Sequence, residues 1–445
     1  MANEPASNIG LFEQHFETAA LSAGGPSWLN GLRQEALDKV RELGLPSTRK
    51  EEWKFTNLPR SLRELDLHHR GKTTPRVNLD QVPSLLPEDK VRYRLTFVNG
   101  CLSDTHSRLD SLPEGVTLAP LSQVLADRPD WLETELGREL RHPEQIQSAM
   151  NTALFEEGMV LHLHAGVRLE HPIELLFLDG LEDQAIAHHP RILVVLEQDS
   201  QAQLIEHHGG PGTNAGLLNA LWDVRLGENA ELLQVRVLEN GPEMRHLTTV
   251  HAELDSRARY KSYSLTTGAA LSRHELHVHL NGEDAEATLN GAYLLRGSQH
   301  GDTTSVIHHH VPRTTSRETY KGALDDKARG VFQGQIIVDR DAQQSDGKML
   351  NKTLLLSEKA EIDSKPELEI YADDVQCAHG ATSGELDSDA LFYLRSRGIS
   401  EKRARSLMVE SFVAEAIEEL EDDSLKPALQ QRLRSWLDQA EEPQS

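Results

Sequence analysis

The chain has 445 residues, 71 acidic against 46 basic side chains, a formal charge of −25, and two cysteines. So acidic a surface repels phosphate backbones and anionic lipid, which argues against nucleic-acid and membrane partners. Cys101 and Cys377 are too few and too distant for a disulfide framework or a four-thiolate metal site, and no window approaches 18 uncharged apolar residues, so a soluble cytoplasmic protein without an export signal is expected.

Leu11, Phe12, His15 and Phe16 recur at helical spacing and predict one amphipathic helix. Trp28, Leu29, Leu32, Ala36, Leu37, Val40 and Leu43 predict a second, entered after Pro26-Ser27 and stopped at Gly44-Leu45-Pro46. Residues 93–98 read as a strand ending at Asn99-Gly100, and a polar helical stretch follows near 121–148. From about residue 150 the character changes. Apolar runs at 159–164, 173–178, 192–196 and 232–238 follow one another with no room for crossover helices.

Within this region a polar turn followed by Ala-x-apolar recurs at Ala202, Ala230, Ala258 and Ala285, and less regularly at Ala328 and Ala360. The first intervals, 28, 28 and 27 residues, mark a solenoid in which each turn buries its inner face by stacking on its neighbours. Richness in Thr, Val and Ile with period-two alternation selects β over helical repeats. After Gly384 helical spacing returns. Asp387 or Ser388 caps a helix that stops at Gly398, Ser400-Glu401 opens a second, and Leu429, Leu433, Trp436 and Leu437 define a third. Six acids within 415–423 are expected to be a solvated helix end. The predicted fold is mainly β: a helical and mixed region over 1–148, a β-solenoid over 149–384 and a helical region over 385–445.

Sixteen of the 22 histidines fall between 162 and 310. His162/His164, His277/His279 and His308-His309-His310 have the spacing of metal ligands on a strand, but polar rows on solenoid faces, or rings stacked within it, explain them more simply. The stretch from His207-His208 to Gly212 reads as a surface turn. Asp373-Asp374 raises the alternative of a carbohydrate-active β-helix, although neighbours on a strand point to opposite faces and would not flank one bond. Cys377 and His379 share a face in an extended segment. Together they make half of a soft-metal site or a thiol and its base, or else Cys377 is a small buried hydrophobe.

The run Lys365-Pro366-Glu-Leu-Glu-Ile-Tyr371-Ala-Asp373-Asp374-Val-Gln-Cys377-Ala-His379-Gly, followed by Leu391-Phe392-Tyr393-Leu394-Arg395-Ser-Arg397-Gly398, resembles the C-terminal signature of the SufB/SufD family of the Suf iron–sulfur cluster assembly machinery. Arg49-Lys-Glu-Glu-Trp53-Lys54-Phe-Thr56, Tyr320-Lys321-Gly322 and the stretch from Asp341 to Asp346 agree with it. The lack of clustered N-terminal cysteines and the Ala-His-Gly pattern place the resemblance on the SufD side. It implies a right-handed parallel β-helix flanked by helical regions, and a non-enzymatic scaffold. It further implies end-to-end pairing with SufB, with His379, and Cys377 beside it, at a shared iron or cluster interface. Docking of the ATPase SufC is implied through Leu391, Phe392, Tyr393, Leu394, Arg395, Arg397 and Gly398. No cofactor is expected in the isolated chain; iron or a cluster is held transiently in the complex, where a flavin is also conceivable, and the isolated chain is free to pair with a second copy through the same end.

Overall fold

The computed structural model describes residues 26–439 apart from 64, 70–83, 128–129, 137–144 and 182. The helix expected at 11–16 lies outside the described residues. The centre of the molecule is a β-solenoid of about eight turns, formed by two sheets of 11 strands each. One sheet runs from Val116–Pro120 and Gly158–Leu163 through Arg191–Leu196, Gly216–Leu226, Met244–Leu254, Leu271–Leu280, His300–His309 and Arg329–Val338 to Glu361–Ile370. The other runs from Tyr93–Val98 and Ile173–Leu178 through Gln201–Gly209, Glu231–Leu238, Arg259–Thr266, Glu286–Leu295, Thr315–Leu324 and Asp346–Leu355 to Gln376–Gly384. The chain alternates between them, so each turn stacks in parallel on the one before. Tyr93–Val98 already pairs in parallel with Ile173–Leu178, so the second sheet recruits a strand from before residue 149.

The repeat has a physical cause at one corner. Asp199, Asn229, Arg257, Asp284, Arg313 and Gln344 all take a left-handed backbone, with φ between 57° and 62°. That conformation turns the chain sharply from the first sheet into the second. A small buried residue follows each: Ser200, Ala230, Ala258, Ala285, Thr314 and Ser345. Each of these six carbonyls accepts a hydrogen bond from the next turn, for example Arg259 N to Ala230 O at 2.8 Å and Gln376 N to Ser345 O at 2.9 Å. The register corrects the sequence reading in two ways. Ala202 aligns with Leu232, two residues past the corner, and its place in the series belongs to Ser200. Ala328 and Ala360 precede strands of the first sheet, at the opposite corner, which is why their spacing looked irregular.

Leu, Val and Ile fill the interior, together with a buried polar file that includes Glu206, His208, Gln234, Arg236 and Tyr260. The expected surface turn at His207-His208 is instead strand. His208 lies inside, hydrogen-bonded to Glu206 and stacked on Phe177 at 4.6 Å, and His207 bonds Glu239 at 2.9 Å. The turn begins at Gly210.

Both sheets are covered in part by helices. Ser27–Leu43, stopped by Gly44 at φ 64°, packs with Ile146–Leu154 against the first sheet through Ala36, Leu37, Met150 and Leu217. The segment from Glu51 to Thr56 is bound along the same sheet. Trp53 covers the Arg273 guanidinium at 4.1 Å, Thr56 bonds Asp302, Glu52 accepts from Gln333 at 3.1 Å and Glu51 pairs with Lys365 at 2.8 Å. The long helix Glu401–Glu418 and the final helix Lys426–Gln439 lay Val409, Val413, Ile417, Leu433 and Trp436 over Val235, Tyr263 and Leu294 of the second sheet. The acids at 415–423 are correspondingly less free than expected: Glu415 pairs with Lys321, Glu421 with Lys261 at 2.6 Å, and Asp422 accepts from Gln203 at 2.6 Å.

Candidate functional site

The last turn consists of Glu361–Ile370 and Gln376–Gly384. Among the described residues each has a strand neighbour on one side only. Unpaired N–H and C=O groups on a long edge are a template for another chain, and soluble proteins normally cover them. Here the inner side of the turn is open as well. Ile362 and Leu368, with Val375 and Cys377, pack onto the last closed layer of Phe332, Ile336 and Met349 but are only half-buried, and Ile370 and Tyr371 are 41% and 60% exposed at the rim. The sequence reading did not single out Ile370 and Tyr371; their signal was two large apolar residues next to Asp373-Asp374, where a solvated corner needs none.

Strand register fixes the polar pair. Cys377 lies opposite Gly347 and His379 opposite buried Met349, so both occupy the inward-facing series two residues apart, as the extended spacing predicted. Cys377 is half-buried and His379 is exposed, so the imidazole stands at the uncovered end of the solenoid. Burial pushes the Cys377 thiol up from its ordinary value, and the Asp346 charge adds to this against a hydrogen bond with the Gly347 backbone. The group therefore rests as a thiol at neutral pH, and a metal ion that binds the sulfur displaces the proton to solvent. Cys101 is buried near the far end of the same sheet, nine strand steps away in the pairing order, or roughly 40 Å at about 4.8 Å per step. It cannot join Cys377.

Asp373 and Asp374 do not sit on a strand. They lie exposed in the corner between the last two strands, where the Asp374 N–H donates to Gln343 Oε1 at 2.9 Å. Both carboxylates stand in open solvent with no cleft around them to hold a sugar, and the glycan-cleaving alternative is not favoured.

The other predicted group is on the helix Ser388–Ser396. Asp387 caps it, accepting from the Asp389 and Ala390 N–H groups at 2.8 and 3.1 Å, and Gly398 ends it at φ 86°. No residue of this helix is buried. Leu391 and Leu394 are half-buried, whereas Phe392 and Tyr393 are 73% and 57% exposed. Arg397 holds Tyr393, with its guanidinium 5.0 Å from the ring centroid and a 2.9 Å bond to the hydroxyl, and Arg395 pairs with Glu401 at 3.2 Å. An exposed Phe beside a Tyr held by an arginine is the composition of an interface anchor.

Fold and site together define a class: a two-sheeted β-solenoid with helical flanks, one uncovered end bearing a thiol and an imidazole, and a separate exposed aromatic helix. Residues 179–412 match the family described as SUF system FeS cluster assembly, SufBD core domain, and residues 3–175 match the SufBD protein N-terminal region. The chain is 34% identical over 426 residues to the iron–sulfur cluster assembly SufBD family protein slr0076 of Synechocystis, covering 93% of this chain and 92% of that one. It is 30% identical over 406 residues to the iron–sulfur cluster assembly protein SufD of Escherichia coli (90% and 91% covered), and 26% identical over 425 residues to SufD of Bacillus subtilis (91% and 93%). The chain belongs to the SufBD family of Fe–S cluster assembly proteins. Among the described residues no helix is long and apolar enough to cross a membrane.

Proposed function

We propose that this chain is the SufD-type scaffold subunit of a cytoplasmic SUF assembly. Its open last turn pairs with a SufB-type paralogue, and its exposed helix Ser388–Ser396 holds a SufC-type ATPase, whose hydrolysis supplies the work. The observation that carries this reading is the uncovered terminal turn with Cys377 and His379 on its inner side. One thiol and one imidazole are too few to enclose a cluster, so the remaining ligands for iron or a nascent cluster come from the partner's face. Cluster and iron are cargo here, and the chain contributes binding and placement.

Substitution of the exposed His379 by Ala is expected to lower iron and sulfide in the complex purified from cells several-fold, while the isolated subunit keeps its circular dichroism spectrum and melting temperature. Unchanged loading would remove His379 from the mechanism. For the ATPase contact, removing the whole C-terminal region is a poor test, because it would strip Val413, Ile417 and Leu433 from the second sheet. The double substitution Phe392→Asp and Tyr393→Asp touches only exposed side chains. We expect it to abolish co-purification of SufC and to change stability by no more than about 0.5 kcal/mol. Full retention of SufC would place its contact elsewhere.

A further inference from the structure

A second polar cluster lies along the edge where the first sheet passes the chain to the corner, one to three strands before the terminal turn, whose Tyr371 N–H donates to Val338 O at 2.9 Å beside it. His279 is on Leu271–Leu280 and faces His308 in register on His300–His309; His310 follows that strand directly, and Asp339 follows Arg329–Val338. His279 Nδ1 is 3.0 Å from His310 Nε2. The rings of His279 and His310 stack at 5.3 Å and 10°, and those of His308 and His310 are 3.8 Å apart. One nitrogen from each of the three lies within 4.8 Å of the other two. All three side chains are half-buried, open enough for an ion to reach and closed enough to fix their rotamers.

Asp339 organises the group. Its Oδ1 is 2.9 Å from His308 Nε2 and its Oδ2 is 2.9 Å from His310 Nδ1. A neutral imidazole carries one N–H and one lone pair, so two rings that donate to the carboxylate keep their lone pairs on the other nitrogens. For His310 that nitrogen is the one aimed at His279. The 3.0 Å spacing is also close to the roughly 3.3 Å between two nitrogens bound tetrahedrally at about 2.0–2.1 Å to one zinc ion.

We propose that His279, His308 and His310 form a three-imidazole site for a divalent first-row transition ion, of the Zn²⁺ or Co²⁺ kind, with Asp339 fixing two of the tautomers from behind. The donor set matches the three-histidine sites that leave a fourth position open. A carboxylate on the far nitrogen is the usual support for a metal-binding histidine. The site belongs to the first sheet and shares no residue with Cys377 and His379, so it stands or falls independently of the scaffold reading.

The test is a Co²⁺ titration of untagged full-length protein at pH 7.5, followed by visible absorption, in a Cys377→Ser/His379→Ala background that removes the terminal-turn ligands. One Co²⁺ per chain is expected, with visible bands of a nitrogen- and oxygen-ligated ion. Binding should vanish in His308→Ala/His310→Ala and weaken at least tenfold in Asp339→Asn. The metal-free variants should keep the parent circular dichroism spectrum. If the double variant misfolds, His279→Gln, which alters one half-exposed ring, reads the same loss. No Co²⁺ bands in the parent, or the same stoichiometry and affinity in the variants, would overturn the site.

Discussion

A Glu318→Gln chain is expected to be more stable than the wild type, by a margin that widens as the pH rises from 4.5 to 8. Glu318 is on the inward series of Thr315–Leu324, opposite Leu289 and Met349, and is 1% exposed. Neither carboxyl oxygen has a hydrogen-bond partner of ordinary geometry. Burial pushes its pKa up to about 8, with a small opposing influence of the nearby Ser305 hydroxyl. In the unfolded chain the group titrates at its ordinary value of 4.5. Between those values the folded state holds a proton that the unfolded state has released, so stability drains away as the pH climbs through the window. At pH 7.5 the loss is roughly 3–4 kcal/mol. Gln is neutral throughout and escapes it. Urea midpoints of both chains at pH 5, 6.5 and 8 check this, and a gap that does not move with pH would show that Glu318 is not the protonated group.

Arg273→Met has the opposite sign. Arg273 is wholly buried, with Nη1 2.5 Å from Asp302 Oδ2 and Nη2 3.1 Å from Glu275 Oε2, under the ring of Trp53. Burial by itself would raise the Glu275 carboxyl, but the Arg273 charge and the His277 contact override it and hold the pKa at about 2. Met fills the space of the aliphatic stem and leaves two buried carboxylates without their cation, which costs about 3–5 kcal/mol at neutral pH. The Glu275 share of that stabilisation is present above pH 4.5 and is lost as the pH falls through 2, so the deficit should shrink in acid. Because Trp53 and Thr56 dock on this cluster, amide exchange at 51–56 should accelerate together with the loss of stability. A deficit below about 1 kcal/mol, or unchanged protection of that segment, would contradict the account.

Much of this architecture was readable because a solenoid repeats its constraints. The alanine spacing exposed the corner where a left-handed residue must be followed by something small. It faded after Ala285 because Thr314 and Ser345 satisfy the same steric need and bond each other at 2.9 Å. The helices after Gly384 were legible from caps and apolar spacing: of the two residues offered for the first cap, Asp387 takes the role and Ser388 begins the helix, and Ser400 caps the second. His207-His208 misled because glycines follow it and because a solenoid interior tolerates polar side chains that pair across turns; no local pattern distinguishes such a histidine from a solvated one. At the terminal turn, the two-residue spacing of Cys377 and His379 placed them on one face. That the face is the uncovered end depends on which strand is last, which is a property of the whole stack. The histidines at 308–310 were expected as surface rows or stacked rings, and His279 and His310 do stack; what local spacing could not supply is Asp339, which orients two of them from the following turn, about thirty positions along the chain.

The uncovered turn has a thermodynamic corollary. In a stack whose stability is a sum over nearest neighbours, an interior layer is held from both sides and the final layer from one. Fraying is therefore easier where Cys377 and His379 are carried than in the closed layers beneath them. A strand added to that edge would supply the missing neighbour, so under the proposed pairing docking and ordering become one event: the thiol and the imidazole come into register through the same contact that brings the partner.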